Sequence, residues 1–331
     1  MLITTGWPHG RRTLLGALAA AAVRAEPAAA QPTGWSPSRP VRIVVPFAAG
    51  GVADLTVRTV GNRLSERIGQ PVVIDNRPSA GGIVAAQQLL GAEADGHTLM
   101  AATNGTAISR SLFRNLPFDP LRDFTPVVTL GAFPIVVLVK PDGPRDLAAL
   151  LARMRAEPGR LNIGTIAAGS TQNLSAELFK IRAAIQAETI AFPATPQATT
   201  ALLRGDVDAV FEISAPVLGQ IRAGAVRAVG VTTATRAATL PDVPTAAEAG
   251  VRDYDVASWN ALVARIGTPP AVTEAMNRAV NDVLADPATR DALAGQGIEV
   301  QGGTQQAMGE LLRTDTARWA EVIEKAGIER Q

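Results

Sequence analysis

The chain has 331 residues, of which 47% are hydrophobic and 18% charged, and its formal net charge is +1. That length and apolar content suffice for two packed domains and exclude a disordered chain, and the balanced charge leaves no footprint for nucleic acid. Cysteine is absent and histidine occurs only as His9 and His97, which excludes disulfides, thiolate chemistry, Cys-type metal sites and multi-histidine metal centres.

Residues 1–30 read as an export signal peptide. Arg11 and Arg12 form a basic start, Leu14 to Val23 is an apolar run too short to span a bilayer, and Ala28-Ala29-Ala30 offers a small-residue cleavage site before Gln31. The paired arginines fit twin-arginine export as well as the general secretory route. Without this leader, 28 basic and 29 acidic residues remain. No later apolar run approaches membrane length, so a soluble protein working in the periplasm is expected.

The first element of the mature chain is also the most informative. Val41 to Val45 is β-branched and almost continuously apolar, the pattern of a buried strand stopped by Pro46. Phe47, Ala48, Ala49, Gly50 and Gly51 follow, and then a helical pattern with Val57, Val60, Leu64 and Ile68 on one face. A strand that passes through small residues into a helix start leaves backbone N–H groups unpaired and backed by the helix dipole, which makes an anion site. Asp54, in the first turn of that helix, either stabilises the helix start or accepts a hydrogen bond from a ligand.

A second strand, 71–75, leads through Asn76-Arg77-Pro78 to a helix opened by Gly81-Gly82 and ending at Leu90. A third strand, 97–103, ends at Asn104-Gly105-Thr106. These spacings imply parallel strands joined by right-handed crossovers, with ligands at the carboxyl ends of the strands. Pro134 to Lys140 reads as a strand that crosses into a second domain, and a helix at 147–155 follows. The unit 161–181 then repeats the opening design: an apolar strand, a Gly169-Ser170-Thr171 turn and a helix. Further elements are expected as a helix at 199–204, a strand at 206–211, a helix at 216–223 and a strand at 225–232. The strand 259–266 returns to the first domain, and helices fill the rest. Thr268 with Pro269 and Asp286 with Pro287 have the form of helix starts.

No nucleophile elbow, Walker loop, dinucleotide fingerprint or zinc-protease motif is present. Asp206 and Asp208 are two apart and form the one conceivable acid–base pair, with capping or solvated edge charges as the alternative. Trp259 fits either a pocket wall or the core. No catalytic residue, cofactor or metal is expected.

Taken together, PSRPVRIVVPFAAGGVAD, QPVVIDNRPSAGG, ADGHTLMAATNGT, LPFDPLRDFTPV, LPDVPTAAEAG, GTPPAV and WAEVIEKAGI resemble, in order and spacing, the Bug family of solute-binding proteins. These are the TctC-type receptors of tripartite tricarboxylate transporters, and the resemblance runs from Trp35 to Ile328. It implies a type II periplasmic-binding-protein fold: two α/β domains, each a mainly parallel sheet flanked by helices, closing on one small carboxylate. The division expected is 31–140 plus 256–331 against 141–255. The implied ligand contacts are Phe47, Ala48, Ala49, Gly50, Gly51 and Asp54 in the first turn, Asn104 and Gly105 in the third strand end, and Gly169, Ser170, Thr171, Asn173, Phe192 and Glu212 in the second domain.

The second-domain side departs from the family pattern. Asn173 stands where a histidine is common, and Ala191-Phe192-Pro193-Ala194 replaces Pro-Tyr-Lys-Gly, removing a phenol and a cation. Glu212-Ile213 takes the place of an Asp-Asn pair. The implied role is a monomeric binding protein that delivers a small carboxylate to a tripartite-type membrane permease. An enzyme on the same scaffold and a receptor that presents ligand to a signalling partner are the alternatives.

Overall fold

Two parallel three-stranded cores organise the chain, and one long strand runs through both sheets. The computed structural model describes residues 35–331; the expected leader and its cleavage site lie outside the described residues. In chain order, β1 (Val41–Val45) leads to α1 (Val52–Ile68), and β2 (Val72–Asn76) leads through a short 3-10 turn to α2 (Ile83–Leu90). Next come β3 (Thr98–Thr103), α3 (Asn104–Leu112) and the long β4 (Phe124–Val139). The middle of the chain holds α4 (Leu147–Ala156), β5 (Asn162–Ile166), α5 (Thr171–Ala183), β6 (Glu188–Phe192) and α6 (Thr195–Arg204). It continues with β7 (Ala209–Ile213), α7 (Ser214–Arg222) and β8 (Arg227–Val231). The last part holds β9 (Ala257–Arg265), α8 (Pro270–Ala285), α9 (Pro287–Gly295), β10 (Glu299–Gly302) and α10 (Gln305–Lys325).

In the first sheet β2, β1 and β3 run parallel, and β9, β4 and β10 add antiparallel strands beside them. The second sheet repeats this plan, with β6, β5 and β7 parallel and then β4 and β8 antiparallel. The fold is therefore two mixed α/β domains. The inner parallel strands β1, β3 and β7 are almost wholly buried, as their near-continuous apolar runs require, while the outer strands β2 and β6 stay partly exposed. Val41, Ile43 and Val45 pack with Val57, Val60 and Leu64 of α1, while Trp319, Leu312, Val322 and Ile323 of α10 close the other face.

β4 pairs with β9 as far as Pro134, opposite Ala257, and from Ile135 onward it pairs with β7 and β8. The change of partner is held by one buried hydroxyl. Thr232 Oγ1 lies 2.6 Å from the carbonyl of Val256 and 3.1 Å from that of Ile135, and it accepts from Ile135 N at 3.2 Å. Its own N–H and C=O bond Ile135 O and Val256 N. One residue thus ties both crossing segments together.

The structure adds three elements to those expected and lengthens a fourth. Helix α3 starts where a turn was expected: Thr103 Oγ1 accepts from Gly105 N, and Thr106 Oγ1 accepts from Thr103 N. β4 begins ten residues before Pro134, because Pro126 sits at a register shift, where the strand tolerates it. β6 and β10 are short strands that exist through their partners, β5 and β4. Asp286 caps α9 as expected, accepting from Thr289 N at 2.9 Å, whereas α8 starts at Pro270 with Pro269 in the cap position.

Replacing Thr232 with the isosteric valine removes a buried hydroxyl and leaves Val256 O short of a partner. Thr232→Val should cost about 1–3 kcal/mol of stability and lower the melting temperature; an unchanged melting curve would show that the hydroxyl does not hold the crossing.

Candidate functional site

The parallel strands β1 and β3 of one sheet and β5, β6 and β7 of the other point their carboxyl ends at one cleft, and each passes into the start of a helix there, whereas β2 leads to α2 outside it. Residues from the starts of α1, α3, α5, α6 and α7 line this cleft of about 410 Å³. Three of these starts, α1, α6 and α7, have no side-chain cap. Their first N–H groups thus lack an intrahelical acceptor and carry the positive end of the helix dipole.

Two of the turns are built alike. Gly50 and Gly169 each precede an N-cap residue and hold φ of +86° and +77°, where a side chain is strained. In each, the third residue of the helix accepts the glycine N–H: Asp54 Oδ2 from Gly50 at 2.9 Å, and Asn173 Oδ1 from Gly169 at 3.0 Å. Asp54 is further engaged by Arg58 Nε at 2.9 Å and Asn76 Nδ2 at 2.8 Å, and Asn173 Nδ2 donates to Thr165 Oγ1. Burial alone would raise the Asp54 carboxyl, but the Arg58 guanidinium, the Gly50 N–H and the Asn76 amide outweigh it and hold it below the usual carboxylate range. Asp54 and Asn173 are buried supports of their turns and do not line the cleft.

Of the other residues expected in the site, Phe47, Gly51, Asn104, Gly105, Gly169, Ser170, Thr171 and Glu212 line the cleft. Ala48, Ala49 and Gly50 form the exposed tip of the first turn, and Phe192 lies in a separate surface pocket with Pro193, Pro196 and Arg204. Sequence reasoning missed Gln172, Thr195, Ser258 and Asn260. The last two carried a signal in strand alternation: with Trp259 turned to the core, its neighbours face the cleft. Trp259 Nε1 donates to the buried Asp315 Oδ2 at 2.7 Å, and Asn104 Nδ2 donates to the same oxygen at 3.1 Å. Burial raises the Asp315 carboxyl, with Trp259 and Arg318 opposing. Asn104 also accepts from Trp259 N and donates to Ala257 O, so this cleft residue is fixed directly to β9 where the strand leaves its sheet.

The walls are apolar, with Phe47, Ile108, Phe133, Ile166 and Pro216, and among the described residues no Lys, Arg or His lines them. Among the described residues Glu212 is the one ionisable side chain there, and it is 1% exposed. Its Oε1 accepts from Gln172 Nε2 at 2.7 Å and Ile213 N at 2.8 Å, while Oε2 is buried without a hydrogen-bond partner among the described residues. Burial raises its pKa; Gln172, the Thr195 hydroxyl, which stands near the carboxyl but short of hydrogen-bond geometry, and Ile213 N–H oppose this without cancelling it. A larger groove, about 680 Å³, runs between α3 and α10 past Arg110 and Arg313, but no helix start opens into it. The Asp206–Asp208 pair lies outside the cleft: Asp206 is exposed, and Asp208 is bound to Asn162 N and Arg153. No group of side chains able to hold a metal ion occurs among the described residues.

Such a cleft, between two mixed α/β domains and rimmed by helix starts, defines a solute-binding receptor. Residues 56–328 match the tripartite tricarboxylate transporter family receptor, and the chain belongs to that family. It is 35% identical to a UPF0065 protein from the tcbD-tcbE intergenic region of Pseudomonas sp. strain P51, over 95% of this chain and 94% of that one. Among solved structures it resembles Rpa4515 of R. palustris with adipate, at 35% identity and a TM-score of 0.76, over 88% of this chain and 99% of that one. It also resembles MatC of Rhodopseudomonas palustris with bound malate, at 32% identity and a TM-score of 0.72, over 87% and 99%.

Because the folded pKa of Asp54 is depressed, its stabilisation is present above the ordinary carboxylate value and lost as pH falls through the folded one. Asp54→Asn should therefore melt below the wild type at neutral pH, with the gap narrowing in acid. A gap constant with pH would contradict the ionised role.

Proposed function

We propose that the cleft binds a small organic carboxylate and that the protein captures this solute in the periplasm for a membrane permease of the tripartite tricarboxylate type. The observation that carries the reading is the contrast between many helix starts and no cationic side chain in the cleft. An anion there is held by backbone N–H groups at Val52 and Ala53 on one side and at Thr171 and Thr195 on the other, with the Ser170 and Thr171 hydroxyls helping. Family membership and the carboxylates named with two relatives support the same class of solute. They favour a binding protein over an enzyme. The receptor acts as a monomer.

Closure belongs to the reading. The expected division placed hinges near Lys140 and Asp255; the change of strand partner supports moving them to Pro134–Ile135 and Val256–Ala257, where Thr232 joins the two segments.

Calorimetry with adipate and malate on Ser170→Ala and Gly51→Val tests the backbone clamp. Gly51 has an ordinary φ of −78°, and a Cβ there meets only Ala48 O at 3.7 Å, so the fold tolerates the change. Each hydrogen bond to a charged acceptor is worth roughly 1.5–3 kcal/mol. Ser170→Ala should therefore lose part of the affinity, and Gly51→Val, whose branches block the N–H groups, much more. Near-normal affinity in a folded Gly51→Val would place the anion elsewhere.

A further inference from the structure

Glu212 stands out against the rest of the cleft. It lies one residue before the end of β7 and lines a cleft with no cation among the described residues; its Oε1 is taken by two N–H donors, and its buried Oε2 has no partner of hydrogen-bond geometry, with only the Thr195 hydroxyl standing near the carboxyl. A carboxylate left in that position is ionised only at a large desolvation cost, and two donors on one oxygen place the proton on the other. We propose that Glu212 enters the site as a neutral carboxylic acid and that its Oε2–H donates a hydrogen bond to the second carboxylate of a dicarboxylate, whose first carboxylate is held at the start of α1. This rests on the reading of the cleft as a carboxylate site and names the subclass of ligand.

The surroundings agree. The residues that face or pair with Glu212 from β4, α5, α6 and the start of α7 are Val136, Gln172, Thr195 and Ile213, and none is charged. The carboxylate of the first turn, Asp54, is buried and paired with Arg58. Two ends of like charge are then read by different devices: helix N–H groups at one end and a single shared proton at the other. The apolar walls between them, Phe47, Ile108 and Phe133, suit an aliphatic spacer.

The consequence is proton-linked binding. The bound state needs Glu212 protonated, so affinity for a dicarboxylate falls as pH rises through the raised pKa of Glu212, while a monocarboxylate gains little from the proton. The experiment is calorimetry of the full mature chain and of Glu212→Gln with adipate, hexanoate and glutamate, from about pH 6 to about pH 9, above the ordinary carboxylic range. It is repeated in two buffers of different ionisation enthalpy to count protons taken up.

Wild type should bind adipate at least about tenfold more tightly than hexanoate, the loss of one charge-assisted hydrogen bond, and lose that preference as pH rises. Glu212→Gln keeps a donor but no titratable proton, so it should keep the preference and lose the pH dependence. Adipate binding by the wild type that is independent of pH and takes up no proton would overturn the inference. Tighter binding of glutamate, abolished in Glu212→Gln, would also overturn it, because an ionised Glu212 would then be reading an ammonium group. If Glu212→Gln fails to fold, the pH profile and proton count of the wild type decide. Absence of binding by adipate, hexanoate and glutamate alike at every pH would remove the carboxylate reading and this inference with it, whereas pH-independent binding removes the inference alone.

Discussion

The N–H groups at the start of an α-helix cannot bond within the helix, and the arrangement of this protein follows from where those groups are left. Five helix starts converge on one cleft from two sheets, and a helix start that stays uncapped beside an apolar wall is satisfied by water or by an anion. The absence of Lys and Arg from the cleft lining is then consistent. Backbone donors need no side-chain entropy to be ordered, and they cannot swing away when the domains part. The turns that present them are fixed from behind, by Asp54 and Arg58 in one domain and by Asn173 and Thr165 in the other.

Much of this was legible in the sequence. The opening strand, its glycine turn and its amphipathic helix could be read from periodicity and small residues, and the repeat of that design at Gly169 was visible as well. The common device was also written there, as a glycine followed four residues later by a side-chain acceptor, Gly50 to Asp54 and Gly169 to Asn173. What periodicity does not carry is which way a polar side chain turns. Asp54 and Asn173 read as ligand contacts because they sit in the right turns, yet their oxygens are consumed by those turns. Ser258 and Asn260 read as flanks of a tryptophan, yet the tryptophan turns to the core and its two neighbours line the cleft. Helix α3 looked like a turn because Thr103-Asn104-Gly105-Thr106 is rich in turn formers; the same hydroxyls that suit a turn cap a helix.

The second constraint is mechanical. β4 belongs to both sheets, so any motion of one domain against the other must pass through the segment where its partners change. Thr232 sits there, bonded to both crossing segments, and Asn104 links the cleft to β9 a few residues away. The cleft and the strand crossing are thus joined by short hydrogen-bonded paths rather than by a long relay.

The central claim is that backbone N–H groups, and no cationic side chain, hold the solute. A crystal structure of the protein with adipate or malate tests it most directly. The account places carboxylate oxygens within about 3 Å of N–H groups at the start of α1 and of a helix from the second domain, with no guanidinium or ammonium in reach. An anion bound instead by arginine side chains, such as Arg110 and Arg313 in the groove beside α10, would contradict it.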